Sequence, residues 1–215
     1  MRKTLLSLIV ASLFVLTAQA QIKRGSIFLG GDVSGYTYKT EWENAIDQKS
    51  KGLNISPVFG KFIKDNLVVG GSLSYSVSNT ENDPGTENKA HGYGAGVFIR
   101  KYKNIGSSGF YLFIQGGLNG GYSKQKTDDP FTTSEIKRTT IGINANPGIS
   151  YAVGKKFHLE TGFNNLIAAS YSHEKGESNS NSNNVDYKSN GFSVYSSLSN
   201  ATSSLYLGFR LLIGK

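Results

Sequence analysis

The chain has 215 residues, 26 of them glycine and none cysteine, and 23 basic against 15 acidic side chains give it a net charge of +8. That length fits one domain, and the lack of cysteine excludes disulfides and a lipid attachment site. The basic excess is mild and has no dense Lys/Arg block with interleaved aromatics, so nothing points to nucleic acid as a partner.

Residues 1–20 read as an export signal: Arg2 and Lys3, an apolar run from Leu5 to Leu16, then Ala18-Gln19-Ala20 as a small-residue cleavage site before Gln21. The apolar run is shorter than the about 20 residues a spanning helix needs. The remaining domain, 21–215, loses two of the 23 basic residues and keeps 21 against 15 acidic, about six positive charges. Lys23, Arg24 and the scattered loop lysines are placed to touch anionic lipid headgroups.

From Ser26 onward apolar and small or polar residues alternate, as in Leu67-Val68-Val69-Gly70-Gly71-Ser72-Leu73-Ser74-Tyr75-Ser76. A period of two gives each strand one apolar and one polar side. Turn signals cut the chain into eight strands, over 26–38, 52–63, 67–79, 90–102, 109–123, 137–153, 157–172 and 191–213. The connections at 64–66, 103–108 and 154–156 are short. Those at 39–51, 80–89, 124–136 and 173–190 are longer and polar, and include Asp83-Pro84-Gly85 and an Asn/Ser tract at 178–184. Short turns at one end and long loops at the other predict an all-β fold, an eight-stranded antiparallel up-and-down transmembrane β-barrel of the outer membrane. Pro57 and Pro147 each lack a ladder donor, so bulges or interruptions are expected there.

The faces decide between lipid and a dry interior. Ile27, Leu29, Val33, Leu67, Val69, Leu73, Ala95, Val97, Ile99, Ile141, Ile143 and Ile149 oppose Gly, Ser and Asn on the other phase. Such small polar groups suit a narrow crowded lumen, and an apolar outer wall needs lipid to cover it. The same phase places Tyr75, Tyr93, Tyr122 and Tyr171 outward near the long-loop ends, and Phe59, Phe110, Tyr151, Phe157 and Phe209 outward near the short turns, as two aromatic girdles. Lys61 also falls on the outward phase, close to a short turn, where it can snorkel. Inside, Asp32, Arg100, Glu160 and Arg210 gather toward the short-turn end and predict a luminal ion-pair network with Glu160 to Arg210 at its core. Phe28, Phe98, Tyr111, Phe113 and Tyr206 are expected to fill the bore.

Gly96-Val97-Phe98-Ile99-Arg100-Lys101-Tyr102 resembles the Phe-x-Arg-Tyr-Tyr stretch of the porin-family outer-membrane β-barrel proteins of Bacteroidetes. Asn146-Pro147-Gly148-Ile149-Ser150-Tyr151, Phe157-His158-Leu159-Glu160 and Leu205-Tyr206-Leu207-Gly208-Phe209-Arg210 are similar to later stretches of the same proteins. The resemblance implies a small barrel of the OmpA/OmpX type in the outer membrane of a Gram-negative cell. Such barrels usually finish on an aromatic residue, whereas this chain runs Leu212-Ile213-Gly214-Lys215, which leaves Phe209 as the assembly signal.

No reaction is spelled out. Ser172, His173 and Glu174 sit near the outer rim, but neighbours on a strand point to opposite faces, which works against a triad. His91 and His158 have no partner histidine at metal-ligand spacing, and Asn200-Ala201-Thr202 is a weak glycan motif. The expectation is therefore a non-enzymatic, monomeric surface protein without cofactor or metal, whose loops serve envelope structure or adhesion. Its expected partners are outer-membrane lipids and lipopolysaccharide, the barrel-assembly machinery and an extracellular partner. The competing readings are a lipid hydrolase at the rim, a narrow solute pore and a lipocalin-like carrier.

Overall fold

The structure is a computed structural model of the chain and describes residues 22–41, 47–82, 85–154, 156–180, 184–196 and 205–214. The expected signal at 1–20, the Asp83-Pro84 turn and the Asn200 motif lie outside the described residues. Ten β-strands follow in chain order: β1 (Ile27–Thr40), β2 (Gln48–Lys64), β3 (Leu67–Asn82), β4 (Thr86–Asn104), β5 (Phe110–Asp128), β6 (Thr132–Ala152), β7 (Phe157–Phe163), β8 (Ile167–Ser180), β9 (Asn184–Ser196) and β10 (Leu205–Ile213).

Every pairing is antiparallel, and the strands make eight staves, because β7 and β8 lie end to end beside β6 while β9 and β10 share the last position. Ile27 to Gly31 of β1 pair with Ile213 to Phe209 of β10, which closes the sheet on itself. Over that stretch closure removes the exposed edges of an open sheet, while among the described residues β1 above Gly31 pairs with β2 alone and β9 with β8 alone.

Two of the expected eight strands are broken, and for the one that becomes β7 and β8 the reason is readable in the register. Gly148 to Ala152 of β6 pair with β7, and Ala145 begins the pairing with β8 after a two-residue shift. The donor-less Pro147 sits in that gap, where Asn165 takes a left-handed φ of 54°. Its amide N–H donates to Asn146 Oδ1 at 2.8 Å, and the Asn144 side-chain amide donates to Asn165 Oδ1 at 2.7 Å. At Pro57 the β2–β3 ladder is interrupted over Ser56 and Pro57 without a change of register, and the register shift falls at Phe62 to Lys64.

The long polar connections are a correction. β3 and β4 stay paired to Asn82 and Thr86, β5 and β6 to Asp128 and Thr133, and β8 and β9 to Asn179 and Asn184. The segments read as loops at 80–89, 124–136 and 173–190 are therefore mostly strand. They lack the apolar alternation because no lipid covers them, and hydropathy fades where the ladder does not. With 19 residues in β5, a rise of about 3.3 Å per residue and a tilt of about 40° give a stave roughly 45 Å tall, against an apolar band of about 25 Å. The remainder stands as a crown of hydrogen-bonded hairpins.

Between the aromatic rows the outward face is apolar, with Val97, Ile114, Ile143 and Leu207 all more than half exposed. Two lysines share that outward phase toward the short-turn end, Lys61 opposite Val69 and Lys101 opposite Ile114. Tyr75, Tyr93, Tyr122 and Tyr171 all face outward at its upper border, with Tyr75 and Tyr93 in ring contact at 5.3 Å. At the lower border Phe110 meets Tyr151 at 4.6 Å and Phe157 stacks on Phe209 at 6.3 Å, while Phe59 lies exposed on β2.

Candidate functional site

The lower lumen is filled from the inward phase of every stave. Phe28, Phe62, Val68, Phe98, Tyr102, Tyr111, Phe113, Ala152 and Leu212 form one buried cluster, and Ile22 joins it from the segment before β1. That segment is tied across the short-turn end: Gly25 N–H donates to the Phe62 carbonyl at 2.8 Å, and Asn66 N–H to the Ile22 carbonyl at 3.0 Å. The barrel floor is thus both packed and laced.

Glu160 lies just above this cluster with none of its side chain exposed. Its two oxygens divide between two cations: Arg100 Nη1 at 2.7 Å from Oε2, and Arg210 Nη2 at 2.5 Å from Oε1. Tyr206 also donates its hydroxyl to Oε1 at 3.1 Å. Arg100 is satisfied further by Gln115 Oε1 at 2.8 Å and the Tyr102 hydroxyl at 3.0 Å, and its guanidinium lies 4.3 Å from the centre of the Phe113 ring. Arg210 donates to the carbonyls of Phe209 at 2.8 Å and Gly31 at 3.3 Å. A carboxylate this buried is tolerable only because both oxygens meet charged or hydroxyl donors.

Local sequence makes room for these side chains. A Cβ at Gly30 would stand 2.6 Å from the Phe209 carbonyl oxygen and collide with the Arg210 stem, so a bare backbone is what lets Arg210 lie across the wall. At Gly148 a Cβ would strike the Phe113 ring and come within 2.5 Å of the Thr161 carbonyl.

The structure therefore brings Arg100, Glu160 and Arg210 together. Asp32, two residues above Gly30 in the register, is half-buried on the same inward phase beside Ser56 of β2, its paired neighbour. Tyr102 and Gln115 belong to the network and were not singled out from the sequence; both sit on the inward phase at the level of Arg100, which was the available signal. His158 is buried too, with Nδ1 3.1 Å from Ser150 Oγ and its ring 5.5 Å from Tyr111.

Above the plug the lumen becomes polar. Ser72, Ser74, Ser76, Asn119, Arg138 and Thr140 help line a cavity of about 270 Å³. At its upper end Arg138 pairs with Glu174, which also accepts from the Tyr187 hydroxyl at 2.8 Å. His173 points away from these groups: its Nδ1 lies 2.8 Å from Asn190 Oδ1, which also accepts from the Tyr171 hydroxyl at 2.9 Å. Ser172 and Glu174 share the inward phase and His173 the outward one, so the three do not converge. Among the described residues no group of three His, Asp or Glu side chains could hold a metal ion.

A closed antiparallel barrel with an apolar outer belt, aromatic borders and a polar lumen defines an integral outer-membrane β-barrel protein. The model of the outer membrane protein beta-barrel domain matches residues 6–199, and the chain belongs to that family. Among solved structures the translocator domain of the autotransporter NalP from Neisseria meningitidis is similar at 11% identity and a TM-score of 0.49, over 90% of this chain and 65% of that one. No curated protein matches.

Proposed function

We propose that this barrel is a closed, non-catalytic envelope protein of a Gram-negative cell, exported by residues 1–20 and acting through its outer surfaces rather than through its bore. The observation that carries this reading is the floor of the lumen, where Glu160, Arg100 and Arg210 are buried together above the aromatic cluster. Eight staves leave a bore about wide enough for its own side chains, and here those side chains occupy it. What remains available to partners is the crown of paired hairpins, a rigid display scaffold for adhesion or for structural contacts with the envelope. The resemblance to Bacteroidetes porin-family proteins supports the same placement. Liposomes carrying the refolded barrel should show no swelling flux of sugars and only background conductance in planar bilayers. Sugar-sized flux through the unaltered protein would overturn the reading.

A further inference from the structure

The strand registers assemble a feature that the linear order hides. Lys124 of β5 faces Lys137 of β6, Lys137 faces Lys175 of β8, and Lys175 faces Lys188 of β9. His91 of β4 continues the row beside Lys124. All five are on the outward phase. At about 4.8 Å between staves the four lysines span roughly 14 Å of the outer wall.

Directly below runs Tyr93, Tyr122, Thr139, His173 and Asn190, which continues the upper aromatic border and is neutral. Directly above runs Lys89, Lys126, Glu135, Glu177 and Asp186. Glu135 accepts from both Lys124 and Lys137 at 2.8 Å, and Glu177 stands 3.9 Å from Lys137. Lys175 and Lys188 form no ion pair among the described residues.

Like charges set opposite each other on a sheet face destabilise it, and here three such pairs run in succession. The order of the rows shows what offsets them. Over β6, β8 and β9 the lysines come first from the membrane side and Glu135, Glu177 and Asp186 come first from the aqueous side, while over β4 and β5 the upper row carries Lys89 and Lys126. A soluble anion descending over β6, β8 and β9 meets Glu135, Glu177 and Asp186 first, whereas an anion fixed at headgroup level meets Lys124, Lys137, Lys175 and Lys188 with tyrosine, histidine and asparagine donors beneath them.

We infer that this row is a docking site for the phosphate groups of a phosphorylated glycolipid of the outer leaflet, whose acyl chains lie on the apolar wall below. The inference rests on the proposed orientation, with the crown outside the cell, and does not depend on whether the bore is closed.

The test uses refolded barrel in detergent micelles titrated with fluorescent lipid A, with dephosphorylated lipid A and inorganic phosphate as competitors. Lys175→Gln with Lys188→Gln should weaken lipid A binding roughly twenty-fivefold, about fivefold for each lysine, while Lys101→Gln with Lys103→Gln at the opposite rim should change it less than twofold. Dephosphorylated lipid A should compete poorly, and millimolar phosphate should not displace the lipid. Equal binding of the two lipids by the unaltered protein would overturn the inference without any variant. Equal loss in both double variants, or full displacement by inorganic phosphate, would overturn it as well. Heat-modifiable gel migration checks that each variant folds, and Lys175→Arg with Lys188→Arg should keep the affinity. Sugar flux through the barrel would defeat the closed-bore reading and leave this binding result standing.

Discussion

Glu160 is the side chain whose loss the barrel should tolerate least. With the carboxylate gone, Arg100 and Arg210 would remain buried and face each other without a counterion, and breaking a buried pair in this way costs about 3 to 5 kcal/mol. Glu160→Gln should therefore lower the urea midpoint of the vesicle-inserted barrel, read by the shift between folded and unfolded gel bands; an unchanged midpoint would mean that the Arg100 and Arg210 contacts add nothing net. Gly30→Ala tests the same site sterically. The new methyl group meets both the Phe209 carbonyl and the Arg210 stem, and overpacking of this kind costs about 1 to 3 kcal/mol. Gly116, whose Cβ would meet nothing within 4 Å, is the matched control: Gly116→Ala should leave the midpoint where it is.

At the scale of the strand, height on the outer face sets the tolerance to charge, as β5 and β3 show. Leu118 is nearly half exposed on the outer wall, in the middle of the apolar belt. Leu118→Arg should cost about 2 to 4 kcal/mol, whereas the same change at Val77, one residue pair above the Tyr75 row, should cost about 0 to 1. Equal costs, measured as unfolding midpoints in vesicles, would put the bilayer somewhere other than between the aromatic rows. In the crown, hydrogen bonds from Lys124 and Lys137 hold the Glu135 carboxyl below its ordinary range. A carboxylate depressed in the folded state supports that state above its unfolded value and loses the support as pH falls through the folded one. The Glu135 carboxyl should accordingly titrate below a free glutamate by NMR in micelles, and Lys124→Gln with Lys137→Gln should return it toward normal.

For the whole molecule, period-two alternation carried most of the architecture. It fixed which residues of each stave face lipid, because a pleated strand has only two faces and a one-residue slip would put the glycine and serine side into the bilayer. Hence the aromatic borders and the inward Arg100, Glu160 and Arg210 could be placed on their faces from residue order. Strand ends in the crown could not be read, since a strand wetted on its outer side by water has no reason to alternate in hydropathy. The break at Pro147 was signalled by the missing donor, but the left-handed Asn165 that absorbs the extra residues was not.

What the amino-acid order alone determined was the class of wall, its two faces and its location in a membrane, all local consequences of pleat geometry and solvent. Only the tertiary structure decided which residues from distant staves become neighbours. Glu160 finds Arg100 across 60 positions of chain, and Lys124, Lys137, Lys175 and Lys188 form one row across four strands, because register and closure are set by the packing of all the staves together.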